Sequence, residues 1–182
     1  MKYNEAEHTL ETDRLLLRPF RIEDAPEVTE YCNNYNIYRS TLSLPFPYSQ
    51  DCAESWIAVH EQNFNCDRMY EFAVTDVKTG RLYGAIGISH QQSYHNGELA
   101  YWIGEAHWGQ GYGTEAARAV IGFVFKEKQY HRVYARHFAS NPASGAIMQK
   151  CGMSYEGTLK DQIYKNGTYE DIVYYGLLNP EG

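Results

Sequence analysis

The stretch Trp108–Ala116, reading WGQGYGTEA, constrains the fold of this chain more than any other. Glycine stands at alternate positions, Gly109, Gly111 and Gly113. It then gives way to AARAVIGFVFKEK, whose Ala117, Val120, Ile121, Val124 and Phe125 lie on one face of a helix. The preceding GELAYWIG is apolar, aromatic and bounded by glycine, as suits a buried strand. Strand, glycine turn and helix N-terminus thus follow one another directly. Glycine lets the backbone take unusual dihedrals and lets a ligand come close. The unpaired amides of a first helical turn, with the helix dipole, favour an anion. The arrangement predicts a phosphate-bearing ligand at this turn.

Two familiar phosphate motifs fail on residues. A dinucleotide fingerprint starting at Gly109 needs a sixth-position glycine, where Thr114 stands. A P-loop needs Gly-Lys-Ser/Thr, and the stretch holds no lysine. The strands before it, Met69–Thr75, Leu82–Ser89 and GELAYWIG, are joined by turns too short for crossover helices, so they read as an antiparallel meander.

The rest of the chain fits one α/β (α+β) domain spanning residues 1–182. TDRLLLRPF reads as a first strand, RIEDAPEVTEYCN as a helix, and NYNIYRSTLSLPFPYS as a loop with a helical turn. SQDCAESWIAVHEQNF reads as one helix with Ser49 as N-cap and Ala53, Trp56, Ile57 and His60 at helical spacing. With no partner in view, His60 reads as a surface or stacking residue. After the central helix come a strand at His131–Phe138, a short helix from Asn141 to a Gly152 cap, and a hairpin about Asn166-Gly167.

A net charge of -7 argues against a nucleic-acid binder. No apolar run is long enough to cross a membrane, and the acidic start MKYNEAEHTLETD lacks a signal-peptide core. Cys32, Cys52, Cys66 and Cys151 have no CxxC spacing, which favours reduced thiols in a cytoplasm over a disulfide framework or metal site.

The glycine stretch resembles the acyl-coenzyme A pyrophosphate loop of the GNAT acetyltransferase superfamily. TDRLLLRPF, ELAYWIG, WGQGYGTEA, ASNPASGAIMQKCGM and EGTLKDQIYKNGTYEDIVYYGLL match that superfamily in order and spacing along nearly the whole chain. Trp108, where the wider pattern has glutamine or arginine, narrows the resemblance to the ribosomal-protein-alanine (RimJ/RimL-type) N-acetyltransferases. The resemblance implies a mixed, mostly antiparallel sheet of about seven strands flanked by helices, with acetyl-CoA as acyl donor and no metal. The backbone of Gly109, Gln110, Gly111, Tyr112, Gly113 and Thr114 would hold the pyrophosphate. The strand near Trp102 and Ile103 would pair with the pantetheine arm. Asn141 would contact the coenzyme and Ser144 would lie near its sulfur, able to protonate the thiolate. Read from the residues alone, Asn141 before Pro142 is a helix N-cap.

Transfer to an amine needs a neutral nucleophile, whereas alkylamines are protonated at neutral pH. A carboxylate beside the thioester would take that proton. Glu98, on the strand feeding the loop, is the first candidate and Glu71 a weaker one; a salt bridge is the bland alternative for Glu98. In some relatives a glutamate of the last segment is the proposed base, and Ile163 stands near that position here, with Asp161 two residues earlier. Tyr164, Tyr174 and Tyr175 are candidates for acid or lining, although by number alone most of the 17 tyrosines read as structural. The resemblance implies an amine acceptor: a protein N-terminus, or a small amine such as a polyamine, aminoglycoside or amino acid. Dimers are common among relatives. The rival classes are a silent acyl-CoA-binding module and a dinucleotide-binding oxidoreductase.

Overall fold

The structure, a computed structural model, describes residues 8–181. The expectation about a leader sequence falls partly on residues 1–7, outside that range. In chain order the elements are β1 (Leu10–Glu11), β2 (Leu15–Pro19), α1 (Ala25–Cys32), α2 (Tyr35–Ser40), α3 (Gln50–Ile57) and α4 (His60–Asn65). They continue with β3 (Met69–Asp76), β4 (Leu82–Ser89), β5 (Asn96–Ile103), α5 (Tyr112–Lys126), β6 (Arg132–Phe138), α6 (Pro142–Lys150), β7 (Ser154–Lys165) and β8 (Thr168–Leu178). The strands form one eight-stranded sheet in the order β1-β2-β3-β4-β5-β6-β8-β7. The eighth, beyond the seven expected, is the two-residue β1, which pairs Leu10 with Leu17.

Side chains alternate across the sheet because strand residues have period two. Tyr70, Phe72, Val74, Ile86, Ile88 and Leu99 face α5, where Ala116, Ala117, Val120, Phe123 and Val124 complete the larger core. Burying a side chain such as Phe72 or Ile86 stabilises the fold by roughly 1.5–3 kcal/mol. The opposite face carries smaller residues, Ala73 and Ala85, under α1 and α3, with Phe20, Val28 and Ile57 filling the second core. Small residues on this face leave room that the other face lacks.

The expected single helix from Ser49 breaks at Ala58–Val59. Ser49 does cap α3, its side chain accepting from the Cys52 amide. The break has a packing cause. Ala53 and Ile57 belong to the smaller core, whereas Phe64 of α4 packs on Tyr70 and Phe72 in the larger one. A straight helix could not serve both faces.

Asn166 and Gly167 turn the last hairpin at φ 53° and 80°, and Gly152 ends α6 at φ 85°. The hairpin tip is fastened to α2, since the Tyr38 hydroxyl donates to Asn166 Oδ1 at 2.8 Å and Lys165 Nζ donates to the Tyr38 carbonyl at 2.7 Å. Burial lowers the pKa of Lys165. Among the described residues no helix is long and apolar enough to cross a membrane.

Candidate active site

The site begins as an interruption in the sheet. β5 pairs with β4 from Leu99 to Ile103, but it pairs with β6, in parallel, only through Asn96, Gly97 and Glu98. Beyond Glu98 the strands diverge while β6 stays paired with β8 as far as Phe138. The register fixes which backbone groups face the gap. Gly104 N–H donates to Tyr83 O at 2.8 Å, so Trp102, Ala100 and Glu98 turn their backbone groups towards β4. Those of Leu99, Tyr101 and Ile103 point into the split. Near Trp102 and Ile103 it is thus Tyr101 and Ile103 whose backbone groups face the gap, and Trp102 lines the cavity.

The split opens into a cavity of about 750 Å³ that runs from the glycine loop across the sheet to α2. Gly109 and Gly111 have φ of 75° and 84°, the left-handed region in which a Cβ is costly. A Cβ on Gly109 would meet nothing within 4 Å, so the loop backbone fronts open space. Gly113 has a different reason: a Cβ there would lie 2.9 Å from Ile147 Cδ1, where α5 and α6 touch. The loop is held from behind. Arg14 donates to the Gln110 carbonyl at 3.0 Å and to Glu115 Oε2 at 2.7 Å, and its guanidinium covers the Tyr112 ring at 4.8 Å. Burial would raise the Glu115 pKa, but hydrogen bonds from Thr12 and Arg14 outweigh it and hold the carboxyl below its ordinary value. Trp108 Nε1 donates to Ile103 O at 2.6 Å and ties the loop to the end of β5. Burial lowers the pKa of His107, behind the loop, with Arg81 adding to the effect.

Of the residues singled out in the sequence, Glu98, Trp102, Ile103, Gly109, Gly111, Tyr112, Gly113, Thr114, Asn141 and Ser144 all line this one cavity. Gln110 does not, because Arg14 takes its carbonyl and its side chain donates to Ala106 O at 3.3 Å. Asn141 occupies the N-cap position of α6, yet its side chain makes no capping bond. Its Nδ2 reaches instead to Ser40 O at 3.3 Å. Asp161 and Ile163 lie outside the cavity; Asp161 sits in a bulge of β7 at φ 49° with its N–H on Asp171 Oδ1.

Glu98 sits where the strands part, and its Oε1 accepts from Arg136 Nε at 2.6 Å across the gap. Ser144 Oγ is 2.9 Å from the Tyr101 hydroxyl, which also donates to the Ser144 carbonyl at 2.9 Å. The phenol has one proton, so when it serves the carbonyl the Ser144 hydroxyl donates to Tyr101. Burial pushes the Tyr101 pKa up, and the Ser144 hydrogen bond only partly offsets this, so the phenol stays neutral. Neither Tyr101 nor Arg136 was visible as a site residue: Tyr101 is one of 17 tyrosines, and Arg136 gains its place only through the β5–β6 register. Glu71, on the cavity floor, accepts from Trp56 Nε1 at 3.1 Å and lies 2.5 Å from His60 Nε2. His60 is buried and packs edge-on against Trp56 and Phe20, so the surface alternative is wrong for it.

The open loop backbone, the unpaired amides at the start of α5 and the long cavity fit a donor with a pyrophosphate and an extended arm. Among the described residues no group of three or more His, Cys, Asp or Glu is placed to hold a metal.

Comparison with known proteins agrees with that geometry. The family model described as "Acetyltransferase (GNAT) domain" matches residues 14–154. The chain is 30% identical over 172 residues to "Uncharacterized N-acetyltransferase YoaA" of Bacillus subtilis, covering 94% of this chain and 97% of that one. It is 26% identical over 178 residues to the ribosomal protein uS5-alanine N-acetyltransferase of Escherichia coli, covering 94% and 91% of the two chains. A crystal structure of an acetyltransferase (GNAT family) from Bacillus anthracis superposes with a TM-score of 0.84 at 25% identity, covering 94% and 98%.

Proposed function

The chain belongs to the GNAT acetyltransferase family and is an acetyl-CoA-dependent N-acetyltransferase, and on that premise we propose that its acceptor is the N-terminal amine of a protein. The observation that carries the site assignment is the split after Glu98, which sets a carboxylate, a serine hydroxyl and free strand amides around one opening. The name of the uS5-alanine relative supports the choice of acceptor.

Bound acetyl-CoA supplies the activated acyl group. The backbone of Gly109, Gly111 and Gly113 and the first turn of α5 hold its phosphates, as helix N-termini hold anions. The cleft-facing amides of Tyr101 and Ile103 orient the arm as an added strand does. Glu98 takes the proton from the incoming ammonium at its carboxylate, and Arg136, donating to Oε1, keeps that carboxylate aimed. A strand N–H near Leu99 stabilises negative charge on the carbonyl oxygen. When Tyr101 donates to Ser144 Oγ, the Ser144 hydroxyl is free to face the departing sulfur and relays to it the second proton shed by the acylated nitrogen; the thiolate needs only modest help because free thiols have a pKa of about 8.5.

The test is an acceptor screen with mass-spectrometric detection of acetylated product, using N-terminal peptides beside polyamines, aminoglycosides and amino acids. Peptide acetylation at the α-amine is expected. Product from small amines alone would overturn the protein acceptor. Acetyl-CoA binding with no product from any amine would mark a silent acyl-CoA module.

A further inference from the structure

The acceptor half of the cavity holds a carboxylate that the mechanism above does not use. On β3 Glu71 pairs with Gly87 of β4, and Gly87 pairs with Ala100 of β5. These three residues form a row on the small-residue face of the sheet, and all of them line the cavity. A Cβ added at Gly87 would lie 2.9 Å from Glu71 Cγ, so the Glu71 side chain leans over β4 towards β5. Gly87 and the exposed Ala100 leave the floor bare between Glu71 and Glu98. Two strand spacings separate β3 from β5, so the two carboxylates stand of the order of 10 Å apart at the ends of a trough.

Their charges differ in how they are met. Glu98 is balanced by Arg136. Glu71 is only 8% exposed, and its partners are the Trp56 indole and the His60 imidazole. No lysine or arginine pairs with it among the described residues. Its one ionisable partner there is His60, at 2.5 Å, so unlike Glu98 it meets no permanent cation, and a buried carboxylate so placed at a cavity favours a ligand that supplies one. The Trp56 and His60 rings fix its direction: they meet edge to face at 4.5 Å, and Phe20 packs edge-on against both.

We propose that Glu71 anchors a second cationic group of the acceptor, an ammonium or guanidinium on an aliphatic arm, while the reacting amine sits at Glu98. The inference rests on the transferase reading and narrows its substrate class. The shared chemistry has two sources, a small diamine and a protein N-terminus with a basic residue close behind it. On either one, the arm crosses the trough over Gly87 and Ala100.

The test uses matched acceptors that differ by one cation: butylamine against putrescine, and the peptide Ala-Ala-Ala against Ala-Lys-Ala. Steady-state thiol release gives KM and kcat for each. Calorimetry on the CoA-loaded protein measures binding of the same compounds without turnover. The wild-type protein should favour the cation-bearing member of at least one pair by about tenfold or more, expressed in KM and in binding. Glu71→Gln should bring that ratio close to one. Gly87→Ala, which keeps the carboxylate but pushes it out of line, should narrow the ratio as well, and this covers the case in which Glu71→Gln fails to fold. The pair with the larger ratio identifies the source. Equal KM and equal binding within both pairs of the wild-type protein would overturn the proposal. So would a Glu71→Gln variant that loses kcat equally on both members, which would make Glu71 a base. Acetylation of any amine reports on the transferase itself, and the ratio within a pair reports on Glu71, so the two readings fail separately.

Discussion

The two walls of the cleft are built on different principles. The wall proposed for the donor, from Ile103 through the glycine loop into α5, offers a ligand mainly backbone. Side chains brace the loop: Arg14 holds Gln110 and Glu115, and Trp108 holds Ile103. The acceptor wall offers side chains, Glu71, Glu98, Arg136 and Ser144, over a floor of glycine and alanine. Backbone contacts recognise what every acyl-CoA shares, whereas side chains discriminate between acceptors. Damage to the donor wall, or to the Glu98 and Ser144 groups that would serve every transfer, should depress all reactions together, and damage at Glu71 should divide them by acceptor.

The largest effect should come from putting a charge on the donor wall. Gly109→Asp and Gly109→Asn, at a position where a Cβ meets nothing within 4 Å, carry similar strain at positive φ, on the order of 1–2 kcal/mol or less for such residues. Only the aspartate sets an anion beside the phosphates, and it should weaken acetyl-CoA binding by about 100-fold or more relative to asparagine. Calorimetry on the pair decides it; equal affinities would place the phosphates elsewhere.

On the acceptor wall, Glu98→Gln should lower kcat/KM by about 10²–10⁴-fold, the usual span for general base catalysis. The deficit should grow at low pH, where the acceptor amine is protonated. Arg136→Met breaks the same ion pair and leaves the carboxylate in place. If the pair is merely structural, both variants will shift the melting temperature alike and keep wild-type rates.

The smallest effect concerns the brace. Glu115→Gln should cost about 1–2 kcal/mol at neutral pH by weakening the bonds to Thr12 and Arg14. Because the folded pKa of Glu115 is depressed below 4.5, its contribution is complete above that value and is lost as pH falls through the folded pKa. The melting-temperature gap between variant and wild type should therefore close in acid. A gap that persists to the acid limit of the fold would show that neutral hydrogen bonds carry the brace.

The strand, glycine loop and helix of the proposed donor wall were legible in the sequence because their determinants are contiguous: three glycines, a strand before them and an amphipathic helix after. The acceptor wall was not. Glu98 could be named, but its partner Arg136 is placed by a parallel pairing of three residues. His60 had no visible partner because Glu71 comes from the next strand, beyond an unforeseen break between α3 and α4. The Asn141 side chain, expected to cap α6, reaches Ser40, because the loop after β6 lies against the end of α2. Local chemistry is written in adjacent residues, whereas register and packing emerge only when distant segments meet.

The short β5–β6 pairing has a further consequence for cohesion. Strands β1–β5 form one antiparallel block and β6–β8 another, and between them the ladder consists of Asn96, Gly97 and Glu98 with their partners. A donor lying along the open edge of β5 would act as a missing piece of that ladder and fasten the seam as well as delivering an acyl group. Ligand binding and resistance to unfolding are then one linked equilibrium, in which the melting temperature climbs with the concentration of acetyl-CoA.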